Sequence, residues 1–323
     1  MRKNAIKLPP FPGELHSVLK KETGGGKILW HYTNWSAFEN ILRTNEMWAF
    51  DYRFMNDYTE LTHSLQFCRD QYREKLPMVH TFIEQALTDP LMLPIADVLS
   101  TSRQFDSLEQ WRGYSRSSVG VALAFDSESL AHLTDKVGFR RIECAYSDVE
   151  KRERIKLHLD PQVEQLARSD AMANDPSLDE PTRHNAGKSV FWGHQWAAKE
   201  FMSQIALAFK DEAFHYEHEV RFVSQFRGGP NWVPTTRDSH QRPRRGFQAR
   251  PGTLAPYSKI PLEADTVCEH PLIGVLVGPV SSPEAIGQRI VQGDMLEWIK
   301  AVAGNYSAQY EDLFITRSKV PLR

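Results

Sequence analysis

The segment Glu217-His218-Glu219-Val220-Arg221-Phe222 carries the densest reactive chemistry in the chain. Read as a strand, its period of two puts Glu217, Glu219 and Arg221 on one face, with Val220 and Phe222 on the other. Two carboxylates beside a guanidinium can move a proton and oppose positive charge developing on a sugar carbon. The same pattern also suits a half-buried strand whose outer face is solvated and salt-bridged.

Three other segments offer complementary groups. Trp30-His31-Tyr32-Thr33 sets an imidazole and a hydroxyl at a strand end, where the following helix N-terminus supplies free backbone donors for a nucleotide. A core histidine with Thr33 as a plain helix cap fits that segment equally well. In Ser100-Thr101-Ser102, Ser100 and Ser102 share one strand face, and paired hydroxyls can orient a neighbouring carboxylate. In Gln110-Trp111-Arg112-Gly113-Tyr114, an indole and a guanidinium could stack on a ring and pair with a pyrophosphate, or be a core Trp and a surface Arg. Residues 228–252 carry Arg237, Arg242, Arg244, Arg245 and Arg250 with Trp232 and Phe247 interleaved, a composition suited to phosphates and stacked bases. Familiar metal chemistry has no sequence mark: there is no Cys-x-x-Cys and no His-Glu-x-x-His. Gly24-Gly25-Gly26-Lys27 fails as a P-loop because Ile28 stands where Ser or Thr is required.

These groups need a scaffold. The sequence predicts a strand at Leu29–Tyr32, then a helix with Phe38, Ile41 and Leu42 facing inward. A strand over Met47–Arg53 follows, then a helix burying Leu61, Leu65 and Cys68. A helix over His80–Ala96, a strand at Val98–Ser102 and a short helix through Leu108 and Trp111 come next. Val119–Phe125, apolar on both faces, predicts a central strand, and Phe139–Tyr146 another. Residues 148–208 turn helical with a polar break at 173–187, and a long Gly/Pro/Arg loop occupies 228–252. A strand at Ile273–Gly278, a helix at 283–302 and a strand near Phe314 complete the pattern. Strands and helices without strict alternation argue for an α+β fold.

The order His-Tyr-Thr, Ser-Thr-Ser, Glu-x-Glu resembles the three-part signature of the ADP-ribosyltransferase superfamily. The opening Leu29-Trp30-His31-Tyr32-Thr33 is similar to the start of DNA ADP-ribosyltransferase toxins and of the RNA phosphotransferases sharing that fold. From about residue 28 onward the chain also resembles a bacterial family known only as a domain of unknown function and often found near abortive-infection genes. The matching residues include Arg53–Asp57 with Glu60, Leu108–Tyr114, Gly120–Asp126, Phe209-Lys210, Glu217–Arg221, Gly274–Pro279 and Ser318–Arg323. The resemblance implies an ADP-ribosyltransferase-like split mixed sheet with surrounding helices. It implies residues 1–27 as an extension and 28–323 as one domain with a helical insertion at about 148–208. It further implies NAD as substrate, with His31 and Thr33 on the ribose and Tyr32 or Trp111 as an aromatic wall. Ser100, Ser102 and Arg112 complete that binding set. Glu219 takes the catalytic position and Glu217 activates an acceptor, protein or nucleic acid, reached through 228–252. The superfamily pairs Ser-Thr-Ser with an Arg opening, whereas this chain joins it to a His opening. The expected activity is that of an intracellular toxin or phage-defence effector. Alternatives are an NAD glycohydrolase and a non-catalytic nucleotide-sensing module.

Composition sets the outer bounds. With 323 residues, 41% hydrophobic and 25% charged, the chain suits a globular protein with a sizeable core. Its net charge of -2 gives no overall field for nucleic acid, so polyanion contact must be local. Pro9, Pro10 and Pro12 interrupt the place where a signal peptide needs an apolar run, and no stretch is long enough to span a membrane. The expected setting is the cytosol, with Cys68, Cys144 and Cys268 as free thiols.

Overall fold

In a computed structural model, the structure describes residues 12–55, 58–72, 77–89, 95–114, 120–200, 205–224, 245–250, 252–279, 297–299, 310 and 313–320. The first helix, α1 (Pro12–Gly24), leads into strand β1 (Ile28–Asn34), whose burial on both faces follows from its apolar run. Asn34 ends the strand and caps α2 (Trp35–Thr44), its side-chain oxygen accepting from Ala37 N–H. Such a cap contributes about 1 kcal/mol. Phe38, Ile41 and Leu42 form the buried side of α2, and Asn45 in the left-handed region turns the chain into β2 (Glu46–Asp51). Helices α3 (Tyr58–Tyr72) and α4 (Pro77–Thr88) precede β3 (Asp97–Ser102). Then come α5 (Leu108–Tyr114), β4 (Gly120–Asp126), α6 (Ser127–Lys136) and β5 (Phe139–Glu143).

The expected helical stretch is three helices: α7 (Asp148–His158), α8 (Asp160–Ala173) and α9 (Glu180–Glu200). A 3-10 turn over Glu212–Glu217 enters β6 (Glu219–Ser224). β7 (Arg245–Arg250), β8 (Thr253–Pro261), β9 (Leu272–Val277) and β10 (Phe314–Arg317) follow.

Two readings of the sequence are corrected here. β6 is buried along its whole length: β3 and β5 pair with its two edges, Val220 and Phe222 pack into the core on one face, and Val223 and the paired Glu219 and Arg221 are covered on the other, so it is an interior strand rather than half-buried. Residues 245–250 are not loop: they pair with β8 through a turn at Gly252, whose φ of 74° suits glycine. The sequence reading also lacked β8, whose mixed pattern gives no clean alternation. Arg237, Arg242, Arg244 and Trp232 lie outside the described residues, as does most of the helix expected at 283–302.

The described strands form a mixed sheet of order β10-β9-β4-β1-β3-β2-β8-β7, with β6 and β5 branching from β3. Only the β9–β10 pair is parallel among these strands. The sheet forks at β3. One edge of β3 pairs with β6 from Val98 to Ser102. Its other edge is divided between β1, at Ser102, and β2, at Asp97 and Val98.

The two sheet faces are covered differently. On one, Leu29, Leu99, Val121, Val220 and Phe222 pack beneath α2 and α6 in one continuous core. On the other, coverage is split. Trp30, Tyr32, Ala122 and Trp111 form one cluster with α1 and α5. Val98, Ile142 and Val223 form another with α3, α4, α7, α8 and the segment 205–209. Between these two clusters the sheet presents polar side chains, and a cleft opens there. No helix among the described residues is long and apolar enough to cross a membrane.

Candidate active site

The cleft has a volume of about 330 Å3. Strand pairing sets its floor: Ser100 lies opposite Arg221 and Ser102 opposite Glu219, so all four side chains leave the same sheet face. Tyr52, Leu61, Leu207, Phe214 and Tyr216 form walls around this floor.

Five charged groups converge there. The ammonium of Lys210 lies 2.9 Å from Glu60 Oε1 and 2.8 Å from Glu219 Oε2, and also pairs with Glu217 Oε2. Arg221 grips Glu219 with two donors, Nε to Oε1 at 2.9 Å and Nη2 to Oε2 at 2.8 Å. Its Nη2 also pairs with Glu60, and its Nη1 donates to Leu207 O at 2.9 Å. The backbone delivers Lys210 by pairing: Ala145 and Phe209 bridge in parallel, and Lys210 N–H donates to Ala145 O at 3.0 Å. Three carboxylates against two cations leave one net negative charge in a largely buried cluster.

The electrostatics divide the carboxylates. Burial alone would push Glu219 upward, but Arg221 and Lys210 outweigh it and hold its carboxyl well below the usual range. Burial raises Glu217, Lys210 only partly opposes it, and the Glu219 and Glu60 charges raise it further. Burial would lower Lys210, yet the surrounding carboxylates drive it above its ordinary value. The thiol of Cys144, 3.8 Å from Glu219 Oε2, is pushed up to about 12 by burial and is unreactive as a thiolate near neutral pH.

The sequence-selected residues distribute unevenly. Glu217, Glu219, Ser100, Ser102 and Tyr32 line the cleft. Ser102 Oγ is committed, donating to Glu217 O and accepting from Gln104 N–H, whereas Ser100 Oγ is buried with no partner among the described residues. Tyr32 is a wall with a fixed hydroxyl, which donates to Gln104 O at 2.7 Å. His31 and Thr33 alternate to the other sheet face. His31 is half-buried at the fork, its Nδ1 2.9 Å from Ser100 O. A carbonyl only accepts, so Nδ1 carries the proton there. Burial lowers the His31 pKa. Trp111 is fully buried, its ring 4.9 Å from Tyr32 and its indole N–H donating to Asp106. Arg112 is exposed and outside the cleft lining; Glu109, Gln110 and Gly113 of α5 line it instead. Arg245 pairs with Asp97, and Arg250 donates to Phe54 O at 2.7 Å above the Phe50 ring.

Residues 110–222 match the model of a protein family of unknown function, DUF2971. No curated protein and no solved structure matches the chain. The DUF2971 segment runs from α5 to the fourth residue of β6 and supplies Lys210, Glu217, Glu219 and Arg221, while Glu60 and β3 come from outside it.

Sequence reasoning gave no site role to Glu60 or Lys210. Glu60 begins a helix and Lys210 follows an apolar run, and neither position has a period or spacing that marks it as a partner of β6. The one usable signal was a lysine directly after five apolar residues, Ile205–Phe209, where a charge needs a counter-ion.

Proposed function

We propose that the cleft binds NAD and breaks its nicotinamide–ribose bond, passing ADP-ribose to an acceptor nucleophile. The observation that carries this reading is that Glu217 and Glu219 converge on the Lys210 ammonium at the floor of the cleft, in surroundings that differ: Arg221 also grips Glu219 and favours its ionised form, whereas burial pushes Glu217 up. Carboxyl groups whose environments separate their pKa values are a mark of acid–base chemistry. Nicotinamide leaves with the electron pair of the C–N bond and is neutral, so its departure needs no acid. The positive charge then developing on the ribose faces a cluster with one excess negative charge. Glu217, its basicity raised, takes the proton from the acceptor hydroxyl as the new C–O bond forms. Ser100 Oγ, buried beside this floor with no partner among the described residues, is a group for a ribose hydroxyl. The cleft is at the small end of ligand sites, which suits the nicotinamide–ribose half of a dinucleotide.

One observation favours a second reading, a nucleotide-binding module without turnover: Glu219 already has its charge matched by Arg221 and Lys210. Incubating the full chain with NAD labelled in its adenine separates these. Label on protein or nucleic acid indicates a transferase, free ADP-ribose a hydrolase, and retained intact NAD a binding module. Neither product nor binding would end the nucleotide reading.

A further inference from the structure

A second cluster lies on the opposite face of the sheet. His132 belongs to α6, whose Leu130 packs into the continuous core beneath the sheet. Asp265 and Cys268 sit in the connection between β8 and β9. One ligating atom from each of the three residues lies within 4.8 Å of the other two. His132 Nε2 is 3.0 Å from Asp265 Oδ2. Two ligands bonded to one tetrahedral zinc at 2.0–2.3 Å are themselves about 3.3–3.7 Å apart, so shifts on the order of 1 Å bring these atoms to coordinating distance.

The carboxylate is also oriented for the task. Asp265 Oδ1 accepts from the backbone N–H groups of Val267 and Cys268, both at 2.7 Å. The Asp265 N–H in turn donates to Cys268 O at 2.9 Å, closing the turn that sets the thiol beside the carboxylate. Oδ2 is left directed at His132 and at Lys136 Nζ, 2.7 Å away. Backbone donors that fix a carboxylate while leaving its other oxygen forward are the outer-shell support that metal ligands require. Lys136 is a replaceable occupant, since its side chain is half exposed at 53% and free to swing into solvent.

We propose that His132, Asp265 and Cys268 bind a zinc-class divalent ion, with water at the fourth position. Imidazole, carboxylate and thiolate together select a borderline ion such as Zn2+ over Mg2+ or Ca2+, which take oxygen ligands. The bound ion ties the β8–β9 connection to α6, across 133 residues of sequence, which is why no linear motif announces it. Binding displaces the Lys136 ammonium and releases the Cys268 thiol proton to solvent.

The test uses the full chain, stripped with a chelator under reducing conditions and titrated with Zn2+ against a chromophoric competitor. Wild type should hold one equivalent that His132→Ala and Cys268→Ser each weaken at least tenfold. Co2+ in place of zinc should give a thiolate charge-transfer band in wild type that Cys268→Ser lacks. Lys136→Ala should bind at least as tightly as wild type, because it removes the competing cation. Equal zinc affinity in wild type and the His132→Ala/Cys268→Ser double variant overturns the site. Weaker binding by Lys136→Ala also overturns it, because the carboxylate would then be built for the lysine.

Discussion

Glu219 and Glu217 sit two residues apart and share Lys210, yet their surroundings assign them different work. Glu219 is buried, gripped twice by Arg221 and once more by Lys210. Removing its charge breaks both Arg221 contacts to the carboxylate and one of the Lys210 contacts in a buried cluster, and breaking a buried pair from one side costs about 3–5 kcal/mol. Glu217 is more open, and Lys210 keeps Glu219 and Glu60 as partners without it. Glu219→Gln is therefore expected to lower the urea midpoint strongly. Glu217→Gln should leave unfolding close to wild type while cutting NAD consumption by ~100-fold or more, the scale of a lost general base. Paired urea titrations and label-release assays check both halves. Should Glu217→Gln consume NAD at the wild-type rate, the proton-transfer role given to it is wrong.

At the scale of elements, the turn into β6 decides whether the two glutamates meet. In a regular strand, residues two apart share a face but stand nearly 7 Å apart along it. Here His218 adopts φ 41°, ψ 51° between a 3-10 turn and the strand, and both carboxylates reach one ammonium. Left-handed backbone disfavours β-branched side chains most. His218→Val should thus destabilise by about 1–2 kcal/mol and reduce NAD turnover, whereas His218→Gly keeps both near wild type. Thermal melts and turnover on the two variants check this, and equal behaviour of Val and Gly would remove the turn from the argument. The same turn marks where sequence reading stops. Leu29–Tyr32, Phe38 with Ile41 and Leu42, and Val121–Phe125 announce their elements because burial follows a local period. The shared face of Glu219 and Arg221 was legible for that reason too. The counter-ions were not. Glu60 and Lys210 reach the site through α3 and a parallel bridge to Ala145, contacts that depend on packing between distant segments.

For the molecule as a whole, several buried groups together shape how stability depends on pH, and their signs can be followed. Burial lowers the His270 pKa to about 4, with its ring held between Asn45 and Leu272, whereas an unfolded histidine titrates near 6.5. The depressed value means this contribution is complete above about pH 6.5 and is lost as pH falls towards 4. The unfolded chain takes up the proton first. The shift corresponds to something on the order of 3 kcal/mol. His31, lowered by burial at the fork, acts in the same direction. Below about pH 4, protonation of unfolded carboxylates adds the loss from Glu219, whose native value is depressed. Lys210 has the opposite sign: its value is raised, so its contribution is complete below about pH 10 and is lost only above that. The Cys144 thiol, pushed up to about 12 by burial, and the buried Cys68 thiol, also raised, have this same sign but an unfolded value near 8.5. Stability should accordingly run level from about pH 7 to 8, decline above about 8.5 as the unfolded thiols ionise, and fall on the acid side before the carboxylates titrate. His270→Gln, still able to donate to Asn45, should lower the slope between pH 6.5 and 4 by up to about 1.4 kcal/mol per pH unit, the weight of one proton. His31 keeps part of the slope in that variant. Urea unfolding at half-unit pH steps measures this directly, and superimposable profiles for wild type and His270→Gln would place the acid sensitivity elsewhere.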